Sequence, residues 1–153
     1  MAASRDHSNA DFEGTKLVGM DLRRKSFANA NLQVADLTES DLSSADLRGA
    51  NLRGAHLTGA QLVGADLTGA CLDAAYLIAT NFRNARLDGI SLDGAIWDHA
   101  TTWPDGEPHA RAPRWWPALT RAAERDVCAG AAQATSRASS RQRRVGLLLG
   151  PSS

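Results

Sequence analysis

Residues 45–69 read ADLRG ANLRG AHLTG AQLVG ADLTG: five units in which Ala, a short polar residue, Leu, a variable residue and Gly recur in register. Followed outward, a large apolar centre returns at every fifth position. The centres are Phe12, Leu17, Leu22, Phe27, Leu32, Leu37, Leu42, Leu47, Leu52, Leu57, Leu62, Leu67, Leu72, Leu77, Phe82, Leu87, Leu92 and Trp97. Ala stands two residues before the centre in twelve of these eighteen units. Asp or Asn fills nine of the positions directly before it, and Gly nine of those two after it. A period of five fits neither a helix, around which the Leu would drift to every side, nor a strand, along which they would alternate faces. It fits a square coil. Each unit forms one side, with the centre and the residue two before it pointing inward and the other three facing solvent.

Residue types then follow from space and backbone. Leu fills the axis, Ala fits where walls crowd, and Gly relieves the backbone where one side bends into the next. Stacked coils spaced about 4.8 Å apart let the backbone groups of one coil bond to the next. Eighteen sides give about four and a half coils, a rod of roughly 22 Å at that spacing. The predicted core is the set of eighteen centres. Thr15, Met20 and Lys25 replace Ala in the first coil, which is therefore expected to be looser, with Lys25 reaching solvent or an acid. Ser40, Thr80 and Ile90 are milder exceptions.

The units from Ala10 to about His99 match the consensus A(D/N)LXX, and on these residues the chain resembles the pentapeptide repeat family. The resemblance implies an all-β fold, a right-handed quadrilateral parallel β-helix that is commonly dimeric, and it implies an interaction protein. The best-understood members bind DNA gyrase by mimicking DNA.

The remaining chain divides by composition. Residues 1–9 form a polar lead-in and 10–99 the β-helix. In the region 100–130, Trp103 and Pro104 mark a cap: Trp97 and Trp103 plug the last coil, and Pro104, Asp105 and Gly106 stop the pairing. Trp115, Trp116, Leu119, Ala123 and Val127 lie near a helical stripe, which predicts a short helix near 117–129 that caps the rod or pairs two chains. Residues 131–153 lack a periodic apolar face and are expected to be disordered. Arg137, Arg141, Arg143 and Arg144 there read as a solvated basic tail.

Charge and composition narrow the function classes. The chain has 153 residues, with 17 basic against 17 acidic, so neither nucleic acid nor an anionic membrane is an expected partner. No apolar run approaches the roughly 20 residues of a membrane span, and the N-terminus lacks a secretory signal, so a cytoplasmic location is expected. Cys71 and Cys128 match no metal-ligand spacing and read as ordinary thiols. The four His, at 7, 56, 99 and 109, are scattered, and the walls offer no convergent polar groups. No catalytic, cofactor or metal site is expected, and no cofactor. The Asp before each centre reads as a backbone acceptor.

Expected partners are therefore an unknown protein and a second copy joined through the C-terminal region, with DNA gyrase as the alternative. Charge density weighs against the alternative. From Ala10 to His99 twelve acids oppose eight bases, net minus four, where duplex DNA of the same length would carry about thirteen negative charges.

Overall fold

The computed structural model describes residues 5–104. The sequence-predicted helix near 117–129 and the segment 131–153 lie outside the described residues. Among those described, all sixteen β-bridges are parallel, and fifteen join residues twenty apart, from Asp6 with Ser26 to Tyr76 with Ile96. Four five-residue units therefore complete one circuit. Each bridge stands alone, because a side is too short to extend pairing beyond the residue before its centre. Side one carries Phe12, Leu32, Leu52, Leu72 and Leu92, and side two Leu17, Leu37, Leu57, Leu77 and Trp97. Side three carries Leu22, Leu42, Leu62 and Phe82, and side four Phe27, Leu47, Leu67 and Leu87.

Three hydrogen bonds per side tie a coil to the next. At Leu32 they are Leu32 N–H to Asn51 O at 2.8 Å, Val34 N–H to Arg53 O at 2.9 Å, and Asn51 N–H back to Ala30 O at 3.0 Å. A fourth turns the corner, as where Ala55 N–H donates to Leu52 O at 3.0 Å. Positive φ at the second residue after each centre from Phe12 to Leu92, with that bond, is the arrangement of a type II turn. The side chain before the centre completes it. Asp6, Asp11, Asp21, Asn31, Asp36, Asp41, Asp46, Asn51, Asp66 and Asn81 each accept the backbone N–H two residues on. That is the backbone role read from the sequence.

The axis is filled. From Leu32 to Leu77 every centre is fully buried, and Ala30 to Ala75 close the gaps between them. Burying each Leu contributes about 1.5–3 kcal/mol. Where Ala is replaced inside the rod, the substitute is satisfied locally. The Ser40 hydroxyl donates to Leu37 O and the Thr80 hydroxyl to Leu57 O, both at 2.7 Å. In the first coil Thr15 and Lys25 are half-buried and Met20 is exposed, while Leu17 and Leu22 remain buried. Cys71, read from the sequence as an ordinary thiol, is buried and disulfide-bonded, a state its sequence surroundings do not signal.

Aromatic side chains close both ends. At the N-terminal end His7, one period before Phe12, joins Phe12 and Phe27 in a three-ring plug with centroids 5.3–5.7 Å apart. The sequence period stopped at Phe12 and missed it. At the C-terminal end Trp103 is fully buried and stacks on Phe82 at 5.3 Å, and Trp97 meets Trp103 edge-on at 5.7 Å. The last bridge joins Asn81 to Thr102, twenty-one apart. One extra residue has entered between Trp97 and Trp103, so Trp103 takes the place that strict counting gives to Thr102. Asp98 and Thr101 hold the insertion. Asp98 accepts Ala79 N–H at 3.0 Å, and the Thr101 hydroxyl donates to Leu77 O at 2.8 Å.

Candidate functional site

With the axis occupied by Leu and Ala, the described residues present their charged and polar side chains on the outer walls. The four walls differ. Side one holds Asp11, Glu13, Asp73 and Asp93 against Arg53. Side two holds Asp36, Glu39 and Asp98 against Lys16. Sides one and two therefore carry minus three and minus two. Side three, with Asp21 and Asp41 against Arg23, Arg24 and Arg83, carries plus one. Side four balances Asp46, Asp66 and Asp88 against Lys25, Arg48 and Arg86. The net charge of minus four is thus gathered on two adjacent walls.

Many of these charges are already engaged. Arg23 and Arg48 bind Asp21 and Asp46 through paired contacts, the shorter at 2.7 and 2.6 Å. The Arg23 side chain, then the Arg23 backbone N–H, hold the Asp21 carboxyl down at about 2. The Arg48 side chain likewise lowers Asp46. At Asp36 the Thr38 hydroxyl and N–H lower the pKa. Burial opposes ionisation of Asp66, but the Thr68 hydroxyl and N–H together with Arg86 outweigh it, and the net shift is downward. Asp46 and Asp66 lie one coil apart between Ser26 and Arg86, and Arg86 reaches Asp66 at 3.6 Å. Among the described residues no group of three His, Cys, Asp or Glu side chains is placed to hold a metal.

An open depression of about 380 Å³ on side three is lined by Asp21, Arg23, Arg24, Ser43 and Ser44. Its Arg23 and Asp21 neutralise each other and face solvent, so it lacks the desolvated, convergent groups that chemistry needs. No helix among the described residues is long and apolar enough to cross a membrane.

Side two has a different character in its C-terminal half. The column before its centres runs Lys16, Asp36, His56, Tyr76, Ile96, each bridged to the next. The His56 and Tyr76 rings stack in parallel at 4.6 Å, and both are exposed. Tyr76 is 38% and Ile96 47% exposed, with Ile78 half-buried alongside. A ring stack and an Ile in one column form an apolar strip, with Asp36, Glu39 and Asp98 as the acids of the same wall. The eighteen centres and the Trp103–Pro104 cap predicted from the sequence lie in the axis and at its end rather than on the walls. The strip was not singled out beforehand. Only the break in the Asp/Asn column at positions 56, 76 and 96 could have signalled it.

The model of pentapeptide repeats matches the chain over residues 8–43, 35–73 and 70–100, in eight copies. No curated protein matches. Among solved structures, a pentapeptide repeat protein from Nostoc PCC 7120 is 38% identical, covering 65% of this chain and 74% of its own, with a TM-score of 0.46. One from the Arabidopsis thaliana thylakoid lumen is 28% identical over 61% of each chain, with a TM-score of 0.46. QnrB1, a plasmid-mediated fluoroquinolone resistance protein, is 26% identical over 61% of this chain and 57% of its own, with a TM-score of 0.31.

Proposed function

The chain belongs to the pentapeptide repeat family, whose fold is a right-handed β-helix solenoid, and from that premise we propose that it is a non-enzymatic scaffold that docks a protein partner on its outer wall. The exposed strip of His56, Tyr76 and Ile96 carries this reading. Exposed aromatic side chains bury large area at low entropic cost and are enriched where proteins bind one another. The acids on the same wall suit a partner with basic residues flanking an apolar anchor. Affinity capture with the full chain tests it: proteins held by the wild type should be lost from a Tyr76→Ser, Ile96→Ser variant of equal thermal stability. Capture that survives both changes removes the strip as the docking site.

A second reading, binding to DNA gyrase as a mimic of DNA, is favoured by the gathering of negative charge on sides one and two. Five net negative charges on two walls are still well short of the about thirteen that duplex DNA of this length carries. Supercoiling by gyrase, with and without a quinolone, is expected to be unaffected by added protein. Inhibition or drug protection at low concentration would promote the mimic over the apolar strip.

A further inference from the structure

The acids of side two differ from those of side four in their pairing. Asp36, Glu39 and Asp98 enter no ion pair among the described residues, whereas Asp46, Asp66 and Asp88 are all met by Arg48 or Arg86. Beside the unpaired acids lies the apolar strip of His56, Tyr76, Ile78 and Ile96. Cys71 adjoins it, for it holds on side one the position that Tyr76 holds on side two, five residues on in the same coil. Cys71 is disulfide-bonded. The other cysteine among the 153 residues is Cys128.

Between Pro104, the last described residue, and Cys128 stand twenty-three residues. Fully extended they span about 80 Å, several times the roughly 22 Å of the rod at strand spacing. A segment fixed at both points therefore reaches any wall, and its composition chooses among them. Residues 108–121 read PHARAPRWWPALTR, in which Arg111, Arg114 and Arg121 surround Trp115, Trp116 and Leu119 and no acid intervenes. Arginines around apolar anchors complement an apolar strip edged by unpaired carboxylates. Side four offers paired carboxylates and exposes no large apolar side chain. Side one, though acidic, exposes Val34 alone, and side three is net positive. Tethering adds to the match, because a short flexible link holds a segment before its site at an effective concentration in the mM range.

We propose that segment 108–121 of this chain lies on side two, with Trp115 and Trp116 against Tyr76 and Ile96 and the arginines toward Asp36, Glu39 and Asp98, held by a disulfide between Cys71 and Cys128. This rests on the docking reading above, since the strip is the same site: a protein partner reaches it by displacing the chain's own segment. Reduction by a dithiol loosens the cover. The S–S bond breaks, two electrons and two protons convert its sulfurs to thiols, and the dithiol becomes a disulfide.

Methyl NMR of the full oxidised chain tests the cover. Ile78 and Ile96 lie on side two, and Ile90, buried in the axis, serves as the control. Indole rings packed on a wall shift the signals of methyl groups beneath them. Trp115→Leu with Trp116→Leu should therefore move the Ile78 and Ile96 signals and leave Ile90 in place. Cys128→Ser, or dithiothreitol added to the wild type, should move the same two signals in the same direction. Ile78 and Ile96 signals that ignore the tryptophan changes overturn the proposal. Mass spectrometry of an unreduced digest should find the Cys71 peptide joined to the Cys128 peptide in monomeric protein, and Cys71 joined to a second chain instead overturns the tether. Neither measurement needs a partner, so unmoved methyl signals leave the docking reading standing, and a failed affinity capture leaves the cover standing. Where both hold, Cys128→Ser should raise capture severalfold.

Discussion

Nine corners of the rod are turned by residues other than glycine, among them Val34 at φ 50°. A side chain in the left-handed region costs about 1–2 kcal/mol, more for a branched one, and glycine gives back about 0.5–1 kcal/mol of that in chain entropy. Val34→Gly should therefore raise stability by about 0.5–1 kcal/mol, measured by urea unfolding. The reverse change at Gly49 (φ 64°) puts a β-carbon into the left-handed region, where it also meets the end of the Asn29 side chain, which must move aside. Gly49→Ala should lose about 1–2 kcal/mol. At Asp46 the question is the acceptor. Asn31, Asn51 and Asn81 do the same work at the equivalent position, so Asp46→Asn should fold normally, while Asp46→Ala should cost about 1 kcal/mol for the lost turn bond.

The same carboxylates set the acid response. Asp21, Asp36, Asp46, Asp66 and Asp98 all have pKa values below the ordinary 3.8. At low pH the unfolded chain then binds more protons than the folded one. Their contribution is present above about pH 4 and is lost as pH falls toward 2, where Asp21 titrates. The melting temperature should drop through that window, and less steeply in Asp36→Asn and Asp46→Asn. These residue roles were legible because a short acceptor beside a turn has few other uses. The positive φ at Val34, Glu39 and Ser44 was not legible, since nothing in a single side chain announces a left-handed corner unless it is Gly or Asn.

At the scale of the five-residue side, register decides what each element can do. The period alone fixes which residues enter the axis, because a shift of one position would turn Leu outward on every wall. It could not fix the ends, where repetition stops. His7 falls on the period but is not a Leu or Phe, and the inserted residue before Trp103 breaks the count, so both closures rest on contacts the pattern does not encode. Trp103→Ala should cost about 3–5 kcal/mol, as for other large core aromatics cut to Ala. Hydrogen exchange should then accelerate first at Phe82 and Asn84, whose N–H groups bond Thr102 and Pro104. The strip on side two was equally hidden, for the column before the centre tolerates almost any outward side chain and only its vertical neighbours make it a surface.

At the scale of the whole rod, residues 5–104, a solid axis leaves only its walls and ends to meet other molecules. Among the described residues the interior of the rod is packed, because each coil is spaced for backbone hydrogen bonding and from Leu32 to Leu77 every centre is fully buried. Partner choice then depends on which wall carries apolar or charged columns, and that emerges when residues twenty apart are brought into contact. Thermal unfolding of two neighbouring variants tests the inward and outward assignment that all of this requires. Leu52 is fully buried on the axis, and Arg53 beside it is exposed. Leu52→Asp should lose several kcal/mol by placing a carboxylate where no counterion exists, and Arg53→Ala should stay within about 0.5 kcal/mol of the wild type. Wild-type stability in Leu52→Asp, or a large loss in Arg53→Ala, would mean that the walls and the axis are exchanged.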